Sequence, residues 1–97
     1  MQRAQVRFEE AGSQLTAIEI GRQGRSPVIS ALQRALFALG IVVSAYHVRA
    51  GHSGLTERLV LQRQDGGVVD GALSVATKAA ILPIALKDPD GPLPAKV

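Results

Sequence analysis

Gly24-Arg25-Ser26-Pro27-Val28-Ile29-Ser30-Ala31-Leu32-Gln33-Arg34-Ala35-Leu36-Phe37-Ala38-Leu39-Gly40 is the stretch on which the reading of the fold turns. Ser26-Pro27 is a helix opening. A serine hydroxyl can take a free backbone N–H at the N-cap, and proline suits the first helical position, where no N–H is needed. Val28, Leu32, Ala35, Leu36 and Leu39 then recur on one stripe at helical spacing, with Ser30, Gln33 and Arg34 on the side left to water. Gly40 closes the helix, as glycine does just past a C-cap.

On either side of this helix the period changes to two. Residues 3–9 alternate, with Ala4, Val6 and Phe8 on one side and Arg3, Gln5, Arg7 and Glu9 on the other, which predicts a half-buried strand. Ala11-Gly12-Ser13 is a turn, and residues 14–22 predict a second strand with Thr16, Ile18 and Ile20 inward and Ala17 and Glu19 opposite. The two form an antiparallel hairpin. Beyond the helix, residues 41–49 are rich in β-branched side chains and read as a third strand. After the loop Gly51-His52-Ser53-Gly54 comes a fourth strand over 55–64, with Leu55, Leu59 and Leu61 inward and Arg58 and Gln62 outward. Asp65-Gly66-Gly67 is a turn.

A second helix begins near Val69 or Asp70 and runs to about Leu82, where Pro83 ends or kinks it. It carries two apolar stripes: Val69, Leu73, Ala76, Ala80 and Ile84, and then Val75, Ala79, Leu82 and Leu86. A helix apolar on two sides touches a second subunit or folds its last turn back on its own core. Residues 1–86 read as one domain, and 87–97, with Pro89, Pro92 and Pro94, as a flexible extension.

From Leu15 to about Ile84 this order resembles an ACT domain, a small ferredoxin-like α+β module that often regulates enzymes by binding amino acids. The loop Gly24-Arg25-Ser26-Pro27-Val28-Ile29, the passage Leu39-Gly40-Ile41-Val42-Val43, and Leu59-Val60-Leu61 ahead of Asp65-Gly66-Gly67 carry the likeness. The resemblance implies an α+β, ferredoxin-like ββαββα fold: a four-stranded antiparallel sheet with two helices packed on one face. It also implies a ligand loop at Gly24, Arg25, Ser26, Pro27 and Val28. Gly24 and Pro27 stand where the family has an acid and a glycine, and proline has no N–H to offer a ligand. The family's final strand falls on the proline-rich residues, which cannot supply a ladder of donors. Residues 3–9 therefore replace it, in the manner of a circular permutation, and the expected spatial order is first, second, fourth, third.

Chemistry-bearing groups are sparse. His47 and His52 have no companions at metal-ligand or triad spacing, and Gly51-His52-Ser53-Gly54 lacks the spacing of a nucleophile elbow. Glu9, Glu10, Glu57, Asp65 and Asp70 read as solvated acids at turns and strand surfaces. No phosphate-binding or dinucleotide fingerprint occurs. The chain carries a net charge of +3 and lacks cysteine. That composition excludes thiolate metal sites and disulfides and accords with a cytoplasmic protein. No secretory leader or membrane span is read in it. Six Arg face three Glu in residues 1–50, whereas residues 51–97 balance five basic against five acidic groups.

Gly21-Arg22-Gln23-Gly24 has the form of a nucleic-acid clamp, but it follows a strand where such clamps join helices. On the sheet face away from the helices the alternation places Val42, Ser44, Tyr46, Val48, Arg58 and Val60, with Tyr46 the one aromatic platform for a base. Val42, Tyr46, Val48, Val60 and Ala17 there, with Leu82 on the second helix, are the expected interface. The leading expectation is a cofactor-free, non-catalytic module that forms a homodimer or higher oligomer and meets a protein partner. Amino-acid sensing at residues 24–28 comes second, and nucleic acid, through Arg22, Arg25 and Tyr46, last.

Overall fold

The computed structural model describes residues 4–22, 29–51 and 54–86. In chain order these form β1 (Gln5–Ala11), β2 (Gln14–Arg22), α1 (Ile29–Ala38), β3 (Ile41–Ala50), β4 (Leu55–Arg63), a two-residue β5 (Val69–Asp70) and α2 (Gly71–Ala85). The fold is α+β, with two helices and one antiparallel sheet. Its long strands lie in the order β1-β2-β4-β3, the order expected from the sequence, and β5 pairs with the start of β2. The ligand-loop residues Gly24, Arg25, Ser26, Pro27 and Val28, the loop residues His52 and Ser53, and the extension 87–97 lie outside the described residues.

Both helices seal one face of the sheet. Leu32 and Leu36 of α1, Ile81 and Ala85 of α2, and Leu15, Ile18, Ile20, Ile41, Leu59 and Leu61 of the strands share one core, with Val6 and Phe8 of β1 packed against it. Gly40 stops α1 with φ +79, a left-handed conformation that only glycine takes without strain, and its N–H bonds the Phe37 carbonyl at 3.0 Å. Asp65 holds the β4–β5 turn by accepting the Gly67 N–H at 2.9 Å; that bond and the Arg63 guanidinium keep its carboxyl below the usual range.

Two bulges set which side chains face the core, and period-two reading misses both. Between β1 and β2, Glu9 faces Ala17 and Glu10 faces Leu15, so Thr16 is an extra residue in the ladder. Leu15, not Thr16, therefore joins Ile18 and Ile20 in the core, and the Thr16 hydroxyl donates to the Glu9 carbonyl at 3.0 Å. Between β3 and β4, Val43 faces Leu61 and Ala45 faces Val60, which makes Ser44 the extra residue. Its hydroxyl donates to the Val60 carbonyl at 3.3 Å. One inserted residue exchanges the two faces for everything beyond it.

Helix α2 also departs from expectation. Val69 and Asp70 pair with Leu15 and Gln14 as β5, so the helix begins one residue later, at Gly71. It continues through Pro83 to Ala85. Neither predicted stripe is the buried one: Ser74, Thr77, Ile81 and Ala85 face the core, and the Thr77 hydroxyl satisfies itself on the Leu73 carbonyl at 2.7 Å. Pro83 sits on the exposed side, where water can take the carbonyl that its missing N–H leaves free. Pro83→Ala is expected to stabilise the protein by about 1–2 kcal/mol, less than the ~3 kcal/mol of a mid-helix proline because only the last turn is affected. A urea-unfolding midpoint that does not rise would show that the proline costs nothing there.

Candidate interaction surface

The sheet face away from the helices is a charged lattice over β1, β2 and β4. Arg7 donates to Glu19 at 2.7 Å, and Arg58 clasps Glu9 through two bonds of 2.7 and 3.0 Å. Glu9 lies on β1 and Arg58 on β4, so this pair bridges across β2. Ala17 beneath it is only 1% exposed, although the sequence placed it in an open apolar patch. The Arg58 guanidinium holds the Glu9 carboxyl below its ordinary range, chiefly by that hydrogen bond.

The expected patch is further dispersed by the Ser44 bulge. Val42 and Val60 do lie on the open face, half-buried. Tyr46 and Val48 do not: Tyr46 faces Leu59 and Val48 faces Glu57, both on the helix side, and Ala45, His47 and Arg49 take the open face. The aromatic platform once available for stacking a base is thereby turned away from that face. Leu82 is half-buried at the flank of α2.

Beside Tyr46 lies a polar cluster on the helix side of the sheet. Glu57 is 1% exposed and accepts the Tyr46 hydroxyl at 2.7 Å. Arg22 is also buried; it stands diagonally from Glu57 across the β2–β4 pair, since Ile20 faces Glu57 and Arg22 faces Leu55. This overturns the expectation of Glu57 as a solvated surface acid, and it encloses Arg22, the last residue of the expected second strand, which the sequence marks as a possible nucleic-acid contact. A signal was available: Glu57 is in phase with Leu55, Leu59 and Leu61, and Arg22 with Ile18 and Ile20. Burial, followed by the Glu57 carboxylate, pushes the Tyr46 hydroxyl from its ordinary 10.0 up to about 12.

Two weakly charged surfaces remain without a partner among the described residues. The first is the outer edge of β3, which pairs with β4 alone. Ser44, His47, Val48, Arg49 and Ala50 are exposed along it, and Val48 is 50% exposed despite facing the helix side. The opposite edge, β1, is differently equipped. It bears Arg7, Glu9 and Glu10, and α2 fastens it through Lys78, which reaches Glu10 at 2.9 Å and the Phe8 ring at 5.5 Å. Charges of this kind discourage strand addition, and β3 has only Arg49.

The second surface is the outward side of α2. Ala72, Val75, Ala76, Ala79, Pro83 and Leu86 are all exposed, with Val75 at 68%.

Among the described residues no group of three or more His, Asp or Glu is placed to hold a metal ion, and no helix is long and apolar enough to cross a membrane. Comparison with family models, with curated proteins and with solved structures found no match, so the functional reading rests on the geometry itself.

Proposed function

We propose that this chain is a non-catalytic, ACT-like assembly module that acts by self-association and by contact with other protein chains. The observation that carries the reading is the β3 edge: ten residues long, paired on one side and almost free of charge. Unpaired N–H and C=O groups along such an edge are a template for another strand. The apolar outer side of α2 supports the same class of function, since soluble proteins rarely leave such a face uncovered. The ACT-like part of the reading is supported by the strand order β1-β2-β4-β3, with β1 standing where the resemblance lacks its last strand.

Sedimentation velocity of the full chain, from micromolar to several hundred micromolar, tests this. The expected result is a concentration-dependent shift from one to two chain masses, abolished by Val48→Lys and retained by Val75→Lys. A single-chain mass over the whole range would overturn the reading. Dimerisation lost on Val75→Lys but kept on Val48→Lys would move the contact to α2.

A further inference from the structure

We infer that the Asp70–Gly71 junction is a site of spontaneous covalent modification, at which aspartate rearranges through a cyclic imide to isoaspartate, and that the fold selects it over the same dipeptide at Asp65–Gly66. The site is independent of the self-association proposed above.

The rearrangement needs a carboxyl group free to turn, a following backbone nitrogen free to attack it, and no side chain crowding that nitrogen. Glycine after aspartate meets the last need. The chain has Asp-Gly at 65–66, 70–71 and 90–91 and has no asparagine, so isoaspartate can come from aspartate alone. Asp90-Gly91 lies outside the described residues. Asp65 and Asp70 are both exposed, but they are held differently.

At Asp65 both reacting groups are occupied. Its carboxylate accepts the Gly67 N–H at 2.9 Å and pairs with the Arg63 guanidinium, while the Gly66 N–H donates to the Arg63 carbonyl at 2.9 Å. The same contacts favour the ionised carboxylate, which is the poorer electrophile. Asp70 is the N-cap of α2, but its side chain makes no cap hydrogen bond. Gly71 is the first residue of the helix, where an N–H has no partner inside the helix. At Asp70 ψ 176 the Gly71 nitrogen stands gauche to the Asp70 Cβ, a partial rotation short of the eclipsed arrangement in which the ring closes.

In the first step the Gly71 nitrogen bonds to the Asp70 carboxyl carbon. Its proton leaves with the carboxyl hydroxyl as water, and the cyclic imide forms. Water then adds at one of the two imide carbonyls. Cleavage of the new C–N bond returns aspartate. Cleavage of the original peptide C–N bond leaves the chain running through the side-chain carboxyl carbon, as isoaspartate with a free α-carboxylate. The water lost is regained, and neither oxidant nor reductant takes part. The backbone is then one carbon longer between Val69, 1% exposed in the core, and the first turn of α2.

Trypsin cuts after Arg63 and Lys78, so both pairs fall in the peptide Gln64–Lys78 and each is the other's internal standard. The full chain is aged at neutral pH, folded or in concentrated urea, then digested, and electron-transfer fragmentation of that peptide locates isoaspartate. In the folded protein Asp70 is expected to isomerise at least about fivefold faster than Asp65, the ratio set by the hydrogen bonds that Asp65 must first break. In urea, where both are released and glycine follows each, the two rates should agree to within about twofold. A smaller ratio in the folded protein would overturn the assignment. So would an Asp70 that stays intact in the folded chain while it reacts in urea. A preference for Asp70 that persists in urea would also overturn it, since the local sequence and not the fold would then set the choice.

Discussion

Phe8→Ala is expected to lower the free energy of unfolding by about 3 kcal/mol, the lower end of the range for losing an aromatic side chain, because Phe8 is half-buried and not sealed. The ring packs against the core from the edge strand, opposite Ile18, and its face carries the Lys78 ammonium at 5.5 Å. Removing it takes away apolar burial, leaves a void beneath α2, and loosens the contact that holds β1 to the helix layer. A domain of this size is stabilised by roughly 5–15 kcal/mol in all, so the change is a large fraction of the total. Urea unfolding followed by circular dichroism reads it. Lys78→Ala should cost less than about 1 kcal/mol, since exposed ion pairs and cation–π contacts contribute little. Loss of less than about 1 kcal/mol for Phe8→Ala would mean that β1 is an accessory strand and not part of the structural sheet.

Glu57→Ala is expected to cost about the same, roughly 3 kcal/mol, by a different mechanism: it empties a buried site and strands the Tyr46 hydroxyl without its acceptor. Glu57→Gln, which keeps an oxygen for that hydroxyl, should cost about 1–2 kcal/mol. The same pair has a spectroscopic signature. Tyr46 is the only tyrosine, so its ionisation can be followed by absorbance without overlap. In the folded protein the midpoint should lie at about 12, and in the Glu57→Gln variant it should fall back toward 10.0. The sign of the linkage follows. A hydroxyl whose folded pKa is raised contributes stability that is fully present below about pH 10 and is lost as pH rises toward 12. Tyr46→Phe should therefore flatten stability across that interval. An unchanged tyrosine midpoint in Glu57→Gln would mean that the two groups do not interact in solution.

Much of the architecture was legible in the chain. The change from period two to period 3.6 located α1, and its stripe proved right at Leu32 and Leu36. The tight turn after residue 11 set β1 antiparallel to β2, and the strand order followed once β1 was given the place of a missing last strand. These features are local or depend on chain connectivity, so sequence spacing carries them. The candidate surface was less legible. The edge position of β3 was foreseen, but the face each residue occupies was not.

The reason is particular to these segments. Ile41-Val42-Val43-Ser44-Ala45-Tyr46-His47-Val48 is apolar in both phases, so alternation alone cannot choose a face. The choice was made by β4, whose register leaves Ser44 out of the ladder and turns Tyr46 and Val48 toward the helices. In α2 nearly every position is apolar, so any stripe looks suited to burial. Packing against β1, β2 and α1 selected the one that contains Ser74 and Thr77, because small side chains let the helix lie close and Thr77 can satisfy its hydroxyl within the helix. Glu57 is the converse case: its phase pointed inward, its charge argued outward, and the Tyr46 hydroxyl brought beside it by the Ser44 bulge makes its burial tolerable. The sequence by itself determined the number, kind and order of the main elements, through periodicity and turn chemistry. Only the tertiary structure decided which faces are covered and which edge is open, because ladder register and helix rotation depend on contacts between residues far apart in the chain.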